Sequence, residues 1–182
     1  MPKLQTKNLV ITSMLLAVAI VIQFLGRNFP QINQFLVGPI INSILILTTI
    51  LCGIKWGALT GVLTPILAWT VGQLLPPMAP FIPFIILGNI IYVILFYSVS
   101  KFKFGNYIGV LLGSFGKYLF LSISASKLVT LFGVNIPGKV LAKLAIMMST
   151  PQLITGITGG IFALILFTLL SRRHAIHKGF NQ

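Results

Sequence analysis

The chain has 182 residues, 57% of them hydrophobic, with 13 Lys and Arg and no Asp or Glu. Only 7% charged residues cannot cover a soluble surface, and this much apolar side chain excludes disorder, so residues 1–182 read as one integral membrane domain. Without carboxylates there is no acid–base dyad, no Ser-His-Asp triad, no carboxylate cage for Mg²⁺ or Ca²⁺, and no acidic relay for protons or sodium.

Six apolar runs follow in order: residues 9–26, 36–54, 56–75, 81–100, 107–132 and 141–170. Each is near or above the ~20 residues that cross a bilayer as a helix. The spacing predicts an all-α polytopic protein, six transmembrane helices in one bundle. Lys3 and Lys7 precede the first run. Its only Ala-x-Ala, at Ala17 and Ala19, lies inside the run, so the run reads as a retained span and not a cleaved leader. Ser13 and Ala17 sit one helical turn apart there and form a small ridge. Such ridges let helix backbones approach closely in lipid. The ridges at Gly57/Gly61, Ala68/Gly72, Gly109/Gly113 and Gly156/Gly160 read as packing within the bundle, whereas the first is the one to watch as a face for a partner membrane protein. Residues 27–34 are too polar for the bilayer and sit outside as a loop or lid, and the stiff segment 76–80 frames a mouth. The last run is long enough that its start reads as an interfacial helix, with Pro151 as a kink.

Placing the N-terminus inside gives the cytoplasmic ends Lys3, Lys7, Lys55, Lys101, Lys103, Arg172, Arg173 and Lys178. The outer side keeps Arg27, Lys139 and Lys143, with Lys127 near the boundary. The bias toward the inside puts both termini in the cytoplasm of a cell membrane. These cations flank apolar runs and form no patch interleaved with aromatics, so nucleic acid is not expected. No phosphate-binding Walker motif is present, so the chain does not hydrolyse ATP itself. His174 and His177 read as part of a solvated basic tail, Cys52 has no partner for a disulfide, and no metal or cofactor is expected.

Polar residues inside the apolar runs are costly and are the candidates for function. Lys117 is about 11 residues from the outer end of its run, roughly 16 Å deep at 1.5 Å per residue. No acid in the chain can pair with it, so its partner is a carbonyl, a hydroxyl, water or a ligand anion. Asn89 lies roughly 12 Å deep, Gln152 roughly 16 Å, and Asn42 and Trp69 roughly 9 Å. Gln73 is nearer the mouth, and Tyr92 shares a helical face with Asn89. Together they can line one outward-facing pocket. For each alone, interhelical hydrogen bonding is an equal reading, and for Lys117 the rival is a structural clamp on backbone carbonyls.

Four segments carry a resemblance. Asn33-Gln-Phe-Leu-Val-Gly-Pro-Ile-Ile-Asn42, Trp56-Gly-Ala-Leu-Thr-Gly-Val-Leu-Thr-Pro65, Pro80-Phe-Ile-Pro-Phe-Ile-Ile-Leu-Gly-Asn89 and Gly116-Lys-Tyr118 resemble, in this order and across essentially the whole chain, the substrate-binding S components of energy-coupling factor (ECF) transporters. The resemblance implies a six-helix prokaryotic protein, not an enzyme, that captures a vitamin or related micronutrient at the outer face. It implies delivery through a transmembrane coupling protein (T component) and two cytoplasmic ATPases, as in an ABC importer. It adds Asn33 to the candidate substrate contacts. It also implies docking through small residues of the first helix, where Ser13-Met-Leu-Leu-Ala17 is the nearest match to an Ala-x-x-x-Ala pattern. Lys117 favours a substrate with a carboxylate or phosphate. The rival reading is a stand-alone facilitator or channel for a small anionic metabolite.

Overall fold

The computed structural model describes residues 2–29, 33–131, 133 and 136–172. Among them the chain is all-helical. In lipid every backbone N–H and C=O must be satisfied within the segment, and a helix does this for any apolar sequence. The elements are α1 (Pro2–Gly26), α2 (Asn33–Cys52), α3 (Ile54–Thr70), a 3₁₀ turn (Pro76–Phe81), α4 (Ile82–Val99), α5 (Gly105–Ile123), a π turn (Ser124–Leu128), α6 (Val129–Leu131), α7 (Gly138–Met147) and α8 (Thr150–Arg172). Two hydrogen bonds mark the ends of the bundle. At one, Asn8 Nδ2 donates to the Cys52 carbonyl at 3.4 Å. At the other, an Arg27 guanidinium N–H donates to the Val71 carbonyl at 3.1 Å. Helices α1, α3 and α5 therefore run toward the Arg27 end, and α2, α4 and α8 run away from it.

The expected count of six spans is not met by length and composition. Five helices are long and apolar enough to cross: Leu4–Gly26, Gln34–Cys52, Pro76–Val99, Gly105–Leu131 and Thr150–Arg172. The expected third span is α3, 17 residues long, because the chain leaves the helix at Thr70 and Gly72 takes a positive φ of 75°. The expected sixth span is two helices. It breaks after Met147, and the short α7 lies at the Arg27 end before α8 descends. The predicted interfacial start is thus a separate helix, and Pro151 stands in the first turn of α8, where a missing N–H costs nothing, and kinks nothing. Residues 173–182, including Arg173, His174, His177 and Lys178, lie outside the described residues, as do residues 30–32 and the side chain of Lys3.

One buried side chain repairs a helix. Pro65 sits inside α3 and has no N–H for the carbonyl four residues earlier, which is that of Gly61. Asn89 of α4 supplies the missing donor: its Nδ2 reaches the Gly61 carbonyl at 3.0 Å and Thr64 Oγ1 at 3.5 Å. The bundle closes where glycines remove side chains between helices. A Cβ on Gly159 of α8 would collide with the Pro39 carbonyl oxygen and stand 2.7 Å from Asn42 Cβ on α2. The obstacle is largely backbone, so it cannot rotate away. Gly159→Leu is expected to destabilise by about 1–3 kcal/mol, the cost of overpacking a filled interface. The readout is the thermal unfolding midpoint in detergent, and an unshifted midpoint would show that the α2–α8 contact is dispensable.

Candidate functional site

At the Arg27 end the helices diverge around a cavity of about 640 Å³. That volume suits a small-molecule site, which typically encloses ~300–1,000 Å³. The cavity reaches down to Lys117 on α5, Asn42 on α2, Asn89 on α4 and Thr155 on α8. Val37, Ile41, Ile85, Met78, Met147 and Met148 give it apolar walls. Below Lys117 the bundle is filled by Tyr92, Val93, Phe96, Leu45 and Ile46, all buried, so the cavity is confined to one half of the protein.

Lys117 is 4% exposed. Its Nζ donates to Asn42 Oδ1 at 2.7 Å and lies 5.7 Å from the centroid of the Tyr92 ring. The ring face offers a cation partial compensation. An ammonium has three N–H donors, and Asn42 takes one of them. With no carboxylate in the sequence, no protein anion neutralises the charge. The arrangement is a positive group, oriented by an amide and an aromatic face, at the bottom of a largely apolar pocket.

Arg27 and Lys143 line the mouth. Two more cations at the rim of a low-dielectric cleft raise the local concentration of anions. Gln34 Nε2 donates to the Met147 carbonyl and ties the start of α2 to the end of α7 across that mouth.

The structure brings together five of the eight predicted substrate contacts: Lys117, Asn42, Asn89, Gln152 and Gln73 all line the cavity. Asn89 also serves the Pro65 repair, and Gln152 Nε2 lies 3.5 Å from Met148 Sδ. Two are not on the wall. Trp69 is 48% exposed on the outer surface of α3, while its neighbour Ala68 faces the cavity. Tyr92 is fully buried beneath Lys117, where its hydroxyl donates to the Gly156 carbonyl at 2.7 Å. The side chain of Asn33 lies outside the described residues. Ser13 and Ala17 are exposed on the outer face of α1.

The sequence reading missed Gln23, Gln34, Arg27, Lys143, Thr64 and Thr155 as cavity residues. Gln23 was legible by the logic applied to Asn89, since it is an amide inside an apolar run. Arg27 follows it at i+4, on the same helical face. Lys143 and Gln34 reach the cavity because α7 folds back over the mouth, which no local spacing encodes.

A family model described as ECF transporter, substrate-specific component, matches residues 7–171. No curated protein and no solved structure matches the chain significantly.

Proposed function

Because the chain belongs to the family of ECF transporter substrate-specific components, we propose that its cavity captures a vitamin-like micronutrient bearing a carboxylate or phosphate. The observation that carries this reading is Lys117: a buried ammonium held by Asn42 at the bottom of the cavity, in a chain without Asp or Glu. Association with a T component and two ATPases supplies the energy, since the chain holds neither an ATP-binding motif nor a coupling carboxylate. The cavity opens outward. Lys7, Lys55, Lys101, Lys103 and Arg172 gather at the opposite end, which by the positive-inside bias is cytoplasmic. Both termini then lie on the cytoplasmic side of a prokaryotic cell membrane. The buried cluster of Tyr92, Val93, Phe96, Leu45 and Ile46 beneath the cavity counts against an open channel, because it fills that half of the bundle among the described residues.

The experiment is to purify the chain alone, identify by mass spectrometry the small molecule that accompanies it, and present that molecule, radiolabelled, to liposomes containing the chain. Saturable binding with no uptake beyond protein-free liposomes is the expected result. Rapid entry of the tracer through the chain alone would establish the facilitator instead.

A further inference from the structure

The turn between α4 and α5 stands at the end opposite the cavity and reads Ser100-Lys-Phe-Lys-Phe104. It is short and tightly held. The Phe102 N–H donates to the Val99 carbonyl at 3.1 Å, and the Gly105 N–H donates to the Phe102 carbonyl at 2.8 Å. A Cβ on Gly105 would collide with the Val99 carbonyl oxygen, so a glycine is what lets the chain reverse this closely. The turn leaves its side chains outside the bundle. Phe102 is 68% exposed, Phe104 63%, and Tyr107, in the first turn of α5, 66%. Water disfavours three bare rings so close together.

What covers them follows from α5. Tyr107 begins a strip that continues one helical turn at a time through Leu111 and Phe115, both exposed. The strip is bulky, whereas the exposed strip of α1 at Ser13 and Ala17 is small. Close approach of a partner helix needs small residues, and a bulky apolar strip on a spanning helix suits acyl chains instead. The turn at the end of the strip therefore lies at the level of lipid headgroups. There two lysines alternate with two phenylalanines. Lys101 Nζ lies 5.3 Å from the centroid of the Tyr97 ring, and Lys103 Nζ lies 5.9 Å from that of Phe104. Neither ammonium meets a side-chain carboxylate, because the chain has no Asp or Glu.

We infer that this turn is a binding site for an anionic phospholipid: Lys101 and Lys103 hold the headgroup phosphate, and Phe102, Phe104 and Tyr107 lie among the upper parts of the acyl chains. By the positive-inside bias the lipid belongs to the cytoplasmic leaflet. Aromatic rings settle at headgroup level, and each Lys beside an anionic leaflet adds about fivefold in affinity. The rigid turn presents both charges and both phenylalanines together, so one lipid meets all of them at once. The site anchors the α4–α5 hairpin, which carries Asn89 and Lys117, to one leaflet. It lies outside the cavity and does not depend on what the cavity captures.

The test titrates phosphatidylglycerol, or phosphatidylcholine, into the full chain in a non-ionic detergent and counts retained lipid by native mass spectrometry. Wild type is expected to retain phosphatidylglycerol in preference to phosphatidylcholine. The double variant Lys101→Gln/Lys103→Gln is expected to bind phosphatidylglycerol about 10- to 30-fold more weakly, from about fivefold for each Lys. Lys101→Arg/Lys103→Arg keeps the charge and is expected to bind as wild type does. Lys7→Gln/Lys55→Gln removes the same charge from the same end, on α1 and α3, and is expected to leave binding unchanged. All four lysines are exposed, so these variants keep the fold. Equal retention of the two lipids by wild type overturns the inference. So does an equal loss in the two glutamine variants, which would mark diffuse attraction to a basic end and no local site. Displacement of the lipid by equimolar inorganic phosphate overturns it as well, because the rings would then contribute nothing. If Lys101→Gln/Lys103→Gln retains lipid fully yet loses ATP-driven uptake in cells, the turn docks a protein and the lipid site falls.

Discussion

Lys117→Met is expected to weaken substrate capture by about 2–4 kcal/mol, the scale for removing one member of a buried charge pair. The argument starts from what the ammonium has and what it lacks. It is 4% exposed and donates to Asn42 Oδ1 at 2.7 Å. It meets no protein carboxylate, because the chain has none. A neutral amide and a ring face compensate a charge only in part, so an arriving anion gains more here than on a solvated surface. Low dielectric strengthens that attraction, and desolvation of both ions offsets part of it. Methionine keeps the length and the apolar volume. The variant leaves Asn42 Oδ1 without its donor, at about 1–3 kcal/mol, but it also removes a buried charge, so insertion and folding are retained. Lys117→Arg restores affinity only partly, because a planar fork does not replace a point charge. Titration of the co-purifying molecule into wild type and both variants decides it. Full affinity in Lys117→Met would make Lys117 a clamp on Asn42, and the inference to an anionic substrate would fall.

Much of the fold is visible in the order of apolar and polar segments, because the bilayer forces helices wherever a run is long enough. The sequence reading fails at two places, for one reason. At residues 141–170 hydropathy is continuous, yet the helix breaks after Met147. At residues 56–75 the apolar run outlasts α3, which ends at Thr70. In both, the chain turns at the Arg27 end to form the cavity rim, and apolar character serves the rim and the bilayer equally. Hydropathy measures the environment of a segment and not its direction.

The site divides in the same way. Lys117, Asn42, Asn89 and Gln152 were legible because a polar group deep in an apolar run needs a partner, and in an acid-free chain the partners are few. Trp69 and Tyr92 share that depth and still miss the wall. Depth along a helix does not state its rotation. Trp69 follows Ala68 by one residue, about 100° around the helix, and so faces outward. Tyr92 points inward but is taken up by the Gly156 carbonyl of α8. Gln34, Arg27 and Lys143 join the cavity through tertiary contacts of α7 and of the α1–α3 end, which local spacing does not contain.

Ser13→Trp and Ala17→Trp are expected to abolish ATP-driven uptake in cells that supply the partner proteins, while the isolated variants bind substrate as wild type does. Helix α1 is the least covered of the five spanning helices: 22% of its apolar window is buried, against 33–61% for the others. Its two faces differ. Thr12, Ala19 and Gln23 are buried against the bundle, and Gln23 reaches the cavity. Ser13 and Ala17, one turn apart, are exposed. Packing inside this chain therefore does not explain why that strip is small. A close-approaching helix of another membrane protein would explain it, since small residues bring backbones within contact distance in lipid. A tryptophan on the strip adds bulk where the partner must fit and touches nothing in the cavity. The two assays separate three outcomes. Lost uptake with intact binding marks a docking face. Lost binding as well means that α1 has shifted and carried Gln23 with it. Unchanged uptake means that the strip faces lipid alone, where an exposed tryptophan is tolerated, and the partner then docks elsewhere on the bundle.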